Sequence, residues 1–182
     1  KKGGSISYAM GNDGYNKILF NVSTGMSKSG WALTLLGAKT WADGYIQGTE
    51  YEAYNWFVNI AKRINDNHQL SFTAFGAPQW HNKRDNNGMK ISEWQTLAQR
   101  YMNGESPYRY NPTYGINGER KTADYNSYHK PQLSLNHLWQ INTRSSLSTS
   151  IYASIGNGYG YSGQGLSSED RYKWYGTSSD GM

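Results

Sequence analysis

The sequence predicts an all-β protein: about six or seven antiparallel strands of a transmembrane β-barrel segment, with one long extracellular loop carrying a short helix. Three observations predict it. Apolar side chains recur at every second position in segment after segment. The connections between those segments alternate between short and long. Tyr and Trp gather near the segment ends.

The alternation is best seen strand by strand. Ile6, Tyr8 and Met10 alternate with Ser5, Ser7 and Ala9, then Ile18, Phe20, Val22 and Met26 with Asn21, Ser23 and Gly25. Trp31, Leu33, Leu35 and Trp41 alternate with Ala32, Thr34 and Thr40, Leu36 being out of step. Tyr54, Trp56, Val58 and Ile60 oppose Asn55, Asn59 and Ala61. Leu70, Phe72 and Ala74 oppose Ser71 and Thr73. Leu133, Leu135, Trp139 and Ile141 oppose Gln132, Ser134, Asn136, Gln140 and Asn142. In the last segment Leu147, Ile151, Ala153 and Ile155 oppose Ser148, Ser150 and Ser154. Successive side chains of a strand point to opposite faces, so each segment has an apolar face and a polar or small one. The apolar faces are expected to meet lipid.

Ser, Thr, Asn and Gln dominate the other face, as suits a wet lumen. A soluble sandwich shows the same alternation, because its outer faces also meet water. Connection lengths separate the two. Residues 27–30, 65–67 and 143–146 are short and rich in Asn, Asp, Gly and Ser. Residues 42–49 are intermediate, while 81–130 and the stretch from Tyr161 onward are long. Membrane barrels keep short turns on the periplasmic side and long loops outside. Ten residues rising about 3.3 Å each, tilted about 45°, cover roughly 23 Å, close to the apolar band of such barrels. Trp31 and Trp41 bracket one strand, Tyr54 and Trp56 open another, and Lys39 is expected to snorkel from the apolar face near its loop end.

Within 81–130, Ser92-Glu93-Trp94-Gln95 reads as a helix start, and Ile91, Trp94, Leu97, Ala98 and Tyr101 fall near helical spacing. A loop of this length is usually functional. Its expected substrate- or lid-facing residues are Trp80, His81, Arg84, Trp94, Tyr101, Tyr108, Arg109, Tyr110 and Tyr114. The competing expectation is that these aromatics pack the loop on itself, since a large loop needs a core of its own.

Composition narrows the classes further. Hydrophobic residues make up 36% with Gly 21 and Tyr 16, and mean hydropathy is −0.82. The patterned apolar residues argue against a disordered segment. No cysteine is present, which removes disulfides, Cys-based zinc and thiol nucleophiles. The net charge of +5 is scattered, with Lys62-Arg63 and Arg120-Lys121 among the densest groups, so no nucleic-acid partner is expected. No signal peptide opens the chain, and no apolar run is long enough for a membrane helix.

Catalytic readings dissolve on spacing. His68, His81, His129 and His137 lack metal-ligand spacing, and no paired carboxylates suggest acid–base chemistry. Glu50 and Glu52 read as rim charges. The Gly-rich run 156–163 lacks the lysine and helix of a phosphate loop. Its alternating Gly and Tyr suit a strand end leaving the membrane. Neither an enzyme, a metal nor a cofactor is expected.

Several runs resemble the SusC-like (SusC/RagA family) TonB-dependent transporters of the Bacteroidetes outer membrane. They are Gly30-Trp31-Ala32, Lys39-Thr40-Trp41-Ala42-Asp43-Gly44-Tyr45 and Phe75-Gly76-Ala77-Pro78-Gln79-Trp80-His81. Tyr110-Asn111-Pro112-Thr113-Tyr114-Gly115 and Tyr128-His129-Lys130-Pro131-Gln132 continue the series. Lys1-Lys2-Gly3 resembles the junction between plug and barrel. The resemblance covers essentially the whole chain. It implies a 22-stranded barrel with a plug domain, a SusD-like surface lipoprotein as lid, energy from TonB, and a bulky substrate, typically oligosaccharide and sometimes peptide. Residues 1–182 are then expected to be a fragment of the barrel domain, with 81–130 as its long extracellular loop and the plug and TonB box absent. The rival expectation, from a different class, is a soluble β-sandwich carbohydrate-binding module.

Overall fold

The computed structural model describes residues 2–84, 90–92, 95–96, 107–109, 111 and 125–161. They form one antiparallel sheet of ten strands. In chain order these are β1 (Gly3–Met10), β2 (Asn16–Ser23), β3 (Trp31–Ala42), β4 (Tyr51–Arg63) and β5 (His68–Gly76). There follow β6 (Gln79–Asn82), β7 (Tyr125–His129), β8 (Gln132–Asn142), β9 (Ser145–Ser154) and β10 (Asn157–Tyr161). A short 3-10 turn spans Pro107–Arg109.

The ten strands are seven long ones. β5 pairs β4 with Trp56 opposite Gly76, and β6 resumes on β4 with Ala53 opposite Gln79. The offset is the same on both sides of Ala77-Pro78, so no residue is gained or lost. β7 and β8 likewise continue one another across Lys130-Pro131, and β9 and β10 across Ile155-Gly156. Pro78 and Pro131 have no N–H, so each deletes one ladder donor and interrupts the strand without changing its register. Tyr54 N–H still donates to the Pro78 carbonyl at 2.8 Å. Because the three interruptions lie side by side, they form one crease across the sheet. The sheet is thus a simple meander in which every strand pairs with its chain neighbours, and among the described residues its outer edges, β1 and β9–β10, are unpaired and do not meet.

The hairpin ends show why the chain reverses where it does. Asp13 (φ 55) and Gly14 (φ 69) carry the left-handed conformations of a two-residue turn, with Tyr15 N–H donating to the Asn12 carbonyl at 3.1 Å. An Asp-Gly pair between alternating segments is a strong hairpin signal. Asn65 Oδ1 accepts from the Asn67 and His68 amides at 2.9 Å each, and Asn142 Oδ1 accepts from the Arg144 amide at 2.8 Å. Gly25 at φ 65 ends β2 before Met26, which the alternation had included in that strand.

The sheet takes more of 81–130 than expected: β6 reaches Asn82 and β7 begins at Tyr125. The connection proper is therefore 83–124. Of the helix expected there, Ile91, Ser92, Gln95 and Thr96 are helical, with Thr96 Oγ1 donating to the Ser92 carbonyl at 2.8 Å. Glu93, Trp94, Leu97, Ala98 and Tyr101 lie outside the described residues.

Almost nothing is buried. Among the described residues the buried hydrophobic side chains are Ala42, Ala61 and Ala74, while Ile6 (75%) and Ile151 (69%) are among many large apolar groups left exposed. No second sheet covers the apolar face among the described residues. The sandwich expectation needs that second layer.

Gly30 holds the first short turn. Its φ is 82, and a Cβ there would meet the Arg63 carbonyl oxygen at 2.4 Å. The Gly30 carbonyl in turn accepts from the Arg63 amide at 2.7 Å. Gly30→Ala is expected to lower stability by about 1–3 kcal/mol. Urea unfolding should show the loss, and hydrogen exchange should show the Arg63 amide losing protection.

Candidate functional site

With the register fixed, each residue can be assigned to a face. Opposed pairs in an antiparallel ladder point the same way. Leu33, Ile60, Phe72, Leu135 and Ile151 form one continuous cross-strand row. Val22, Leu35, Val58, Ala74, Leu133 and Ala153 form the next. Phe20, Gly37, Trp56 and Gly76 lead a third, whose line reaches Ile155 at the crease. Ile18, Leu70 and Trp139 fall on the same face by strand alternation, while Ile141 lies at the register shift between Gln140 and Asn142. The residues expected to meet lipid, Ile141 aside, therefore share a single face.

The opposite face is small and polar, and its side chains bond across strands. Asn59 Nδ2 donates to Thr73 Oγ1 at 2.7 Å, Ser150 Oγ to Asn136 Oδ1 at 2.8 Å, and Asn21 Nδ2 to Ser5 Oγ at 2.6 Å. One row departs from this. Leu36, the residue out of step in the sequence, pairs with Phe57, which pairs with Phe75. The apparent imperfection is a three-strand apolar row on the polar face.

Both margins of the apolar face carry charge and aromatic rings. At the turn end, Lys62 Nζ lies 4.9 Å from the Trp31 ring centre and donates to the Ser29 carbonyl at 2.7 Å. At the loop end Lys39 does more than snorkel. It pairs with Glu52 at 2.8 Å and lies 5.3 Å from both the Trp41 and Tyr54 rings. Tyr54 Oη donates to the same carboxylate at 2.6 Å. Glu50 takes a separate role, accepting from Asn82 Nδ2 at 2.9 Å.

Two histidines that are far apart in sequence meet near the turn end. His68 Nδ1 and His137 Nε2 are 3.0 Å apart, with rings only 3° from parallel. Ring centres 5.2 Å apart at that angle place the rings in line, sharing one N–H···N bond. A metal ion would have to sit where that bond runs, and no cluster of metal-binding residues exists among the described residues.

The loop candidates divide. β6 places Trp80 on the face of Trp56 and His81 on the opposite one, because neighbours in a strand alternate. His81 Nδ1 lies 2.8 Å from Gln79 Oε1, and burial, then the nearby Lys83 charge, pushes its imidazole pKa below the usual value. Burial also lowers that of Arg84. Tyr108 is exposed at 72%. Trp94, Tyr101, Tyr110 and Tyr114 lie outside the described residues.

Arg109 has a structural role. It pairs with Asp13 at 2.8 Å and lies 5.1 Å from the Tyr45 ring centre. Its carbonyl accepts from the Gln47 amide at 2.8 Å. Asn111, 1% exposed, donates through Nδ2 to the Gln47 carbonyl at 2.8 Å. The Asp43 amide donates to the Asp13 carbonyl at 2.9 Å. Three connections, 11–15, 43–50 and 83–124, are thereby tied at the loop end. Asp13, Gln47 and Asn111 carry no sequence pattern that announces this, since their partners are distant in the chain.

The Arg109–Asp13 side chains are 35% and 22% exposed, so solvent screens the pair and it contributes at most about 1 kcal/mol. Arg109→Ala is expected to speed exchange of the Gln47 amide. Arg109→Lys should restore part of the protection, keeping charge but losing the planar stack on Tyr45. Unchanged exchange in Arg109→Ala would show that the tie is idle.

Comparison with family models, curated proteins and solved structures finds no match to this chain.

Proposed function

We propose that this chain is an arc of wall from a SusC-like TonB-dependent importer in the bacterial outer membrane, crossing it several times. The observation that carries the reading is the sheet's division into one uncovered apolar face and one polar face, with only three alanines as buried hydrophobic side chains among the described residues. In water such a sheet leaves its apolar rows without a partner. In a bilayer those rows meet lipid, and every strand between the two edges is satisfied by its neighbours.

Two further features support the barrel form. The short turns descend in steps across the sheet: β3 begins opposite Lys62, while β8 runs past Trp139, the partner of His68, to Asn142. Such a stagger is the shear that accompanies tilted strands in a barrel. The unpaired edges β1 and β9–β10 call for further strands to close the wall. The motif runs resembling the family name the kind of barrel.

In this reading the face bearing Ser71, Thr73, Asn136 and His81 lines the lumen, and the connection 83–124 lies outside the cell. The substrate is a bulky nutrient, an oligosaccharide before a peptide. A SusD-like lipoprotein covers the opening, and TonB drives passage through parts of the transporter other than this wall. The chain supplies surface for passage and no catalysis.

Adjacent residues on opposite faces give the test. Phe72→Arg places a charge on the apolar face and is expected to oppose membrane insertion by about 2–4 kcal/mol at the midplane. Ser71→Arg places it on the polar face and should insert nearly as the parent does. The readout is the fraction assembled into outer-membrane vesicles. Equal tolerance of the two variants, or assembly as a monomer in buffer without detergent, would overturn the reading.

A further inference from the structure

Beyond the crease, the sheet continues as β6, β7 and β10 and forms a cleft of about 320 Å³. Its plan follows from register. Trp80 on β6 and Tyr159 on β10 both face Ser127 of β7. Two large aromatics thus flank one small residue, about two interstrand spacings, or about 10 Å, apart at the backbone. Tyr125, outside the cleft lining, packs against both aromatics, with ring centres 6.2 Å from Trp80 and 5.8 Å from Tyr159. At the crease end lie His129 and Asn157, and Trp56 Nε1 donates to His129 Nε2 at 3.3 Å. Glu52 lines the Trp80 side, its carboxylate already fixed by Lys39 and Tyr54.

Gly158, which faces the opposite side, lets β10 lie close against β7, since a Cβ there would meet the Tyr128 Cβ at 2.6 Å. Among the described residues the cleft is lined by β4, β6, β7 and β10, with Pro78 at the crease. Its chemistry is specific: aromatic walls for a flat apolar face, with a carboxylate, an amide, an imidazole and a hydroxyl at the edges. We propose that this cleft binds a pyranose unit of a saccharide, the ring held between Trp80 and Tyr159 and its hydroxyls by Glu52, Asn157 and His129. A peptide fits the site less well. β7 is paired on both sides, so the cleft floor offers no free strand edge for backbone addition.

The cleft lies on the face of Trp56 and Leu135, opposite His81. It is thus distinct from the lumen of the proposed importer. On the barrel reading, and resting on it for this point alone, the saccharide is the headgroup of a glycolipid beside the wall and not cargo. The binding claim itself stands without that reading.

Calorimetric titration of the full chain in detergent, with two saccharide probes and one peptide, tests the proposal. The probes are delipidated lipopolysaccharide core, maltoheptaose and an uncharged decapeptide. Saccharide binding is expected, weakened about tenfold or more by Trp80→Ala and by Tyr159→Ala. Ser127→Leu keeps both aromatics but fills the slot, and should abolish binding. Tyr152→Ala, an exposed aromatic on the other face, should leave it unchanged. Preference for the core assigns the glycolipid headgroup, and preference for maltoheptaose assigns free glycan; either supports the cleft. No saccharide binding, peptide binding alone, or parent-like affinity in Ser127→Leu would overturn it. Such a failure leaves the Phe72 and Ser71 comparison untouched, so the two readings fail separately.

Discussion

One register runs through the sheet, shifting only at Gln140–Asn142 beside the β8–β9 turn, and each property of the sheet depends on it. A slip by a single residue anywhere would exchange the two faces from that strand onward. The Leu33–Ile60–Phe72–Leu135–Ile151 row would then break into apolar and polar halves. The hairpins guard against this. Asp13-Gly14, Gly30, Asn65 and Asn142 each fix a turn through backbone geometry or a side-chain acceptor. Local turn chemistry thus sets the long-range arrangement.

The energetics differ from those of a protein with a core. Among the described residues only three alanines are buried hydrophobic side chains, so apolar transfer between them contributes little against the entropy of ordering the strands. Backbone ladders and the cross-strand bonds of the polar face supply cohesion. The apolar rows remain available to whatever lies against them. On the proposed reading, lipid is the environment that makes that availability a stabilising term, with the Lys39–Glu52–Tyr54 and Lys62–Trp31 contacts at its two margins.

Much of this was legible in the sequence. Strand faces followed from alternation, because a period of two is set by the backbone itself. The strand ends were less legible. Pro78 and Pro131 interrupt the apolar alternation, yet each only removes one donor while its neighbours keep the ladder in place. The polar run Asn126–Tyr128 and the Gly-rich run Asn157–Tyr161 carry no apolar alternation, so their pairing became visible only with their partners. Arg109 was expected to face substrate or lid, and its pairing with Asp13 was not legible, because the two lie far apart in the chain, a separation that no local pattern spans. The cleft was half visible: Trp80 stood out, but Ser127 and Tyr159 acquire meaning only as its neighbours.

The crease also has a mechanical consequence. A pleated sheet resists bending across its strands mainly through its rows of interstrand bonds, and stiffness is lowest where donors are missing. Pro78 and Pro131 remove donors at neighbouring positions on adjacent strands, beside the Ile155-Gly156 interruption of the third. The weak line is therefore straight and lies between the apolar rows and the Trp80–Ser127–Tyr159 row. A load applied to the far end of β6, β7 and β10 would be taken up as flexure along that line, leaving the rows below it undeformed. The extension is thus the more compliant part of the sheet, steadied along one side by β4, which passes that line without interruption.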